Sequence, residues 1–166
     1  MASYKDFNSL KAGILEEMKA VLASNLGLML EDFLKWEISR SVEENVYNVY
    51  QPKQYERRKN KGGLSDRKNI QITSIELDGE KVRVTAENLT EGAWNEGVEI
   101  SHIIEYGAFA NQTMAFWYDE GVWQQPRPFM AKLMEEIKKN PSELHGVIAT
   151  SFKNAGFKIK QKGREY

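Results

Sequence analysis

The sequence predicts an α+β fold in which a long N-terminal helical segment and C-terminal helices pack on an antiparallel sheet, as a single domain over residues 1–166. Three observations predict it: an apolar ladder at helical spacing through residues 10–50, an Asp-Gly turn between two alternating runs, and two amphipathic segments separated by Asn140-Pro141. The length suits one core, since a chain of this size buries roughly 70% of its unfolded surface.

Stepping by four from Leu10 meets Ile14, Met18, Leu22, Leu26, Leu30, Leu34, Ile38, Val42, Val46 and Tyr50, all apolar, with no proline in residues 6–50. A strict step of four advances about 40° per step on a 3.6-residue helix, so the stripe circles the axis and no straight helix aims it at one core. Either the segment breaks, with Gly27 the favoured place, or its far half packs on something else such as a neighbouring subunit. Pro52 ends it. Residues 53–68 follow as an exposed loop with seven basic side chains against two acidic ones around Gly62-Gly63.

Strands are predicted over Asn69 to Leu77 and Glu80 to Ala86 about a type I′ turn at Asp78-Gly79, with Ile75 and Leu77 on the face of Val82 and Val84. Ile70 and Ile72 have the other parity, so a bulge near Thr73-Ser74 reconciles them unless both faces are covered. Ile100, Ile103 and Ile104 mark a short helix stopped by Gly107, and Met114 to Tyr118 with Val122 to Gln124 suggest a second hairpin. Pro128 opens a helix as a first-turn residue, followed by Phe129, Leu133 and Ile137 as core. Asn140-Pro141 caps the next, with Leu144, Ile148 and Phe152 inward, Gly156 as its stop, and Phe157 and Ile159 in a last strand.

With 41% hydrophobic and 28% charged residues the chain reads as an ordinary folded protein. A formal charge of −1 gives no global field toward nucleic acid or anionic lipid, so any such binding has to be local. Zero cysteines exclude disulfides, thiolate metal sites and thiol catalysis. The start lacks a signal-peptide pattern and the apolar run Leu26 to Leu30 is interrupted by Gly27, so the expectation is a protein made in the cytoplasm and kept off membranes.

Chemistry is sparse. Glu99 and His102 form one E-x-x-H pair, but a di-metal bundle needs two, and His145 has Ser142 where the second glutamate belongs. The common metalloprotease, phosphate-loop, dinucleotide and nucleophile-elbow motifs do not occur. The expectation is no enzyme, no metal and no cofactor, with a hydrolase using His102 and Glu99 or Glu105 a remote third reading. The basic loop and the aromatics between Tyr106 and Phe129 also admit a single-stranded nucleic acid module, against which those rings are spaced as in a core.

The order of features resembles a known family. Val49-Tyr50-Gln51-Pro52-Lys53-Gln54-Tyr55-Glu56-Arg57-Arg58, Gly62-Gly63-Leu64-Ser65-Asp66, Ile104-Glu105-Tyr106-Gly107 and Pro126-Arg127-Pro128-Phe129-Met130 follow a long helix, as in the head–tail joining, tail-completion or tail-terminator proteins of tailed phages. The resemblance covers roughly residues 10–155, and Ala108 to Gln125 departs from it. It implies a non-enzymatic virion protein that forms a homo-oligomeric ring at the neck, contacts tail-tube and head-completion proteins, and meets nucleic acid only as DNA passing through the lumen. Candidate assembly residues are then Tyr55, Arg57, Arg58, Leu64 and Asp66, with Pro128 and Phe129 as structural motif.

Overall fold

The computed structural model describes residues 5–21, 25–49, 56–78, 81–92, 100–107 and 125–158. The apolar ladder runs through α1 (Phe7–Val21) and α2 (Gly27–Val42); residues 22–24 lie outside the described ones, the chain is already helical at Leu26 before Gly27, and beyond α2 it continues as a π-helical turn, Glu43–Tyr47. A 3-10 turn (Arg67–Asn69) leads into β1 (Ile70–Asp78), which pairs antiparallel with β2 (Lys81–Asn88); α3 (Ile100–Tyr106), α4 (Phe129–Lys139) and α5 (Ser142–Asn154) complete the α+β order.

Helix α2 is the centre. Its lower rungs Ile38 and Val42, with Val46 and Tyr47 of the π turn, bury against Leu64, Ile70, Phe129 and Leu133, and Leu34, Ala86, Ile104 and Ile137 close that cluster. Its upper rung Leu30, with Leu26 and Val21, meets Val84 and the inward residues of α5, namely Leu144, Val147, Ile148 and Phe152. The rotating stripe is thus served by α4 at one end of α2 and by α5 at the other, so much of its turn is absorbed within the chain. Two hydroxyls fix these contacts: Ser41 Oγ donates to the Phe129 carbonyl at 2.7 Å, and the fully buried Ser151 Oγ reaches Met29 Sδ at 3.0 Å.

Helix α1 differs. Phe7, Leu10, Ile14, Met18 and Val21 fall within an arc of roughly 80°, yet only Val21 is buried and Phe7 is 78% exposed.

In the hairpin, Ile75 faces Val84 and Leu77 faces Val82, and the register slips between Ile72 and Ser74, so the expected bulge is present. Strand β1 runs one residue past the predicted Leu77, to Asp78, which stands opposite Lys81, and β2 starts one residue after the predicted Glu80; positions 79 and 80 lie outside the described residues.

Three helix-end expectations need correction. Pro128 precedes α4 as its N-cap residue (φ −75°, ψ 74°) instead of occupying the first turn. Pro141, not Asn140, sits at the N-cap of α5; the Asn140 carboxamide accepts from Ser142 Oγ at 2.7 Å, and no side chain caps the backbone. Phe157 lies in no described strand, because Gly156 (φ +88°) reverses the chain and brings Phe157 edge-on to Phe152 at 5.6 Å. The proposed second hairpin, Ile159 and Pro52 lie outside the described residues.

Candidate functional site

The cationic stretch after α2 is where sequence reasoning places the assembly residues, and it folds around two glycines with different duties. Gly62 takes φ +79°, which side chains rarely adopt. Gly63 lies so close to the preceding turn that a Cβ would sit 2.5 Å from the Lys59 carbonyl oxygen. Asp66 locks this turn with its carboxylate, accepting from the Gly62 N–H at 2.7 Å and the Lys68 N–H at 3.0 Å. Those two bonds, that from Lys68 foremost, hold its carboxyl below the usual range.

The three carbonyls that follow are each held from the body of the protein. Gly63 O accepts from Asn69 Nδ2 (3.1 Å), Leu64 O from Asn88 Nδ2 (2.7 Å), and Ser65 O from Ser39 Oγ (2.7 Å). Asn88 and Thr90 are buried and bonded to each other, Thr90 Oγ1 donating to Asn88 Oδ1 at 2.6 Å. The middle of the loop, Gly63 to Ser65, is therefore buried, with Leu64 only 5% exposed. The exposed loop of the sequence reading holds at Arg58 to Lys61 and again at Arg67 and Lys68, but not at Gly63 to Ser65, where a buried asparagine on β2 draws the backbone inward.

The arginines are committed too. Arg57 donates to the Tyr47 carbonyl at 2.7 Å, and its guanidinium lies 4.9 Å from the centroid of the Tyr47 ring. Burial pushes the Tyr47 phenol up. Arg58 donates to the Glu91 carbonyl at 2.6 Å from an exposed position. Of the five candidate assembly residues, Leu64 is inside, Arg57 and Asp66 organise the turn, Arg58 stands at the surface, and Tyr55 lies outside the described residues.

Two distant motifs form one joint. Glu105 is buried at the end of α3 and its carboxylate accepts from the Met130 and Ala131 N–H groups at 2.9 and 3.0 Å, capping α4 from outside that helix. Arg127 N donates to Ile104 O at 2.7 Å beside it. Phe129 is 1% exposed, as expected for core. Sequence reasoning missed the cap; the signal was the lack of any capping side chain at Pro128, which leaves the first N–H groups of α4 to an acid from elsewhere.

Glu105 is thereby occupied as a structural acid, and His102 is exposed with its ring 4.7 Å from that of Tyr106; Glu99 lies outside the described residues. Among the described residues no group of three or more His, Asp or Glu could hold a metal ion, and no helix is long and apolar enough to cross a membrane. One groove of about 540 Å³ opens between α2 and the 3-10 turn, lined by Asp32, Lys35, Trp36, Arg67 and Lys68.

A family model matches residues 6–153, from the start of α1 almost to the end of α5, including both the loop and the α3–α4 joint. The chain belongs to the YomN family. The family takes its name from YomN of the Bacillus prophage SPβ, a phage-derived name that suggests a phage protein. No curated protein matches the chain. No solved structure matches it.

Proposed function

We propose that this phage-derived protein is a non-enzymatic virion component that assembles as a ring at the neck, terminating the tail tube and joining it to the head. The observation that carries the reading is the α1 stripe: Phe7, Leu10 and Ile14 are exposed on one narrow face of a helix, while the same ladder is buried along α2. Apolar faces of this kind mark partner sites. Repeated head-to-tail contacts between identical subunits close into rings where the rotation permits. Arg58, exposed on the loop, adds a polar edge to the same assembly. The partners are then copies of this chain, with tail-tube and head-completion proteins above and below.

Electron microscopy of particles tests the reading directly. Density for the protein at the head–tail junction is expected, and Ile14→Asp is expected to leave the protein folded but missing from particles. Purified particles lacking the wild-type protein, or carrying it elsewhere, overturn the proposal.

A further inference from the structure

The structure sorts the cationic stretch into spent and unspent charges. Arg57 and Arg58 bind backbone carbonyls. Arg67 and Lys68, at the far end, are exposed and end in no ion pair or side-chain hydrogen bond among the described residues. They line a groove whose opposite wall is α2, with Lys35, Asp32 and the ring of Trp36. Trp36 lies two residues beyond the buried-side rung Leu34, so it faces away from the core and is 46% exposed. The Arg40 guanidinium, 5.8 Å from its ring centroid, braces it. Arg40 is itself fixed by Glu37, Glu44 and Glu136 at 2.6, 3.1 and 2.9 Å, the first of these buried. The tryptophan is therefore positioned by a three-carboxylate clamp and left open on the groove side.

We propose that this groove binds single-stranded nucleic acid, with one base stacked on Trp36 and the flanking phosphates on Arg67 and Lys68. Half-exposed indole beside uncommitted cations is the pairing that unpaired strands require, since every base has a face to stack and every linkage a charge to neutralise. A duplex keeps its bases stacked inside and offers only the phosphates. Lys35, already bonded to Glu31 at 2.5 Å, contributes less than Arg67 and Lys68, and Asp32 opposes the ligand. This inference is independent of the neck assignment and differs from a site on Arg57 and Arg58.

Fluorescence anisotropy with a labelled oligothymidine, read at several salt concentrations, tests it. Binding that weakens steeply with salt is expected. Trp36→Ala is expected to weaken it roughly 5- to 150-fold, the range for loss of one stacked base. Arg67→Glu with Lys68→Glu, both exposed, is expected to abolish it. Asp32→Asn is expected to tighten it, and Arg58→Ala to leave it unchanged. Urea unfolding of each variant confirms that it folds. The proposal is overturned if duplex of equal length binds as tightly, if poly-glutamate competes equally well (which would make the groove a site for acidic protein), or if the Arg67/Lys68 double variant binds like wild type.

Discussion

Helices α1 and α2 are cut from one ladder, 15 and 16 residues long, with the same spacing of apolar side chains. Five residues of α2 are buried and one of α1. The difference lies outside the helices: α2 has α4, α5 and β1 against it, whereas the exposed rungs of α1 have no such neighbours among the described residues. Periodicity states that a face requires cover; it does not state which molecule provides it.

The sharpest way to break this comparison is to truncate the same residue type on both sides of it. Phe129→Ala, opposite α2, should cost about 3–5 kcal/mol in urea unfolding, whereas Phe7→Ala on α1 should stay within about 0.5 kcal/mol. Equal losses would mean that α1 is packed within the monomer. Next in size is the loop that α2 and β2 hold between them. Gly63→Ala should cost about 1–3 kcal/mol, because the added methyl meets the Lys59 backbone, which cannot swing aside. Asn88→Ala should cost a similar 1–3 kcal/mol by leaving the buried Leu64 carbonyl without a donor. Glu105→Ala, which uncaps α4 on the packed side, should cost about 0.5–2 kcal/mol.

The smallest effect is pH-dependent. Asp66 has its carboxyl lowered from an ordinary 3.8 by the Lys68 and Gly62 N–H groups, so its contribution is complete above the unfolded value and is lost as pH falls through the lower folded value. The stability gap between wild type and Asp66→Asn should therefore be constant near neutrality and narrow below about pH 4. A gap that instead widened on acidification would contradict the two hydrogen bonds.

Much of the fold was legible because its determinants are local or periodic. The stop at Gly107, the bulge beside Thr73 and the inward faces of α4 and α5 each follow from a residue's own conformational preference or from spacing. The helix-end and hairpin-end corrections are shifts of a residue or so, whereas the loop was hard to read because its partners are distant in sequence. Leu64 looked like surface because nothing in Gly62-Gly63-Leu64 announces that Asn88 will take its carbonyl. Arg57 and Arg58 show the same limit, because charge is visible in a sequence and a backbone oxygen that receives it is not. Trp36 was passed over because it lies off the ladder, and its significance rests on Arg67 and Lys68 arriving beside it from another element.

The α3–α4 joint has a consequence for where its strength resides. Ile104 and Glu105 hold Arg127, Met130 and Ala131, tying the end of α3 to the start of α4. Closing a chain of twice the length through such a joint adds only about 0.6 kcal/mol. The joint's hold on α4 is therefore governed by its own three hydrogen bonds and hardly by the length of sequence that separates their partners.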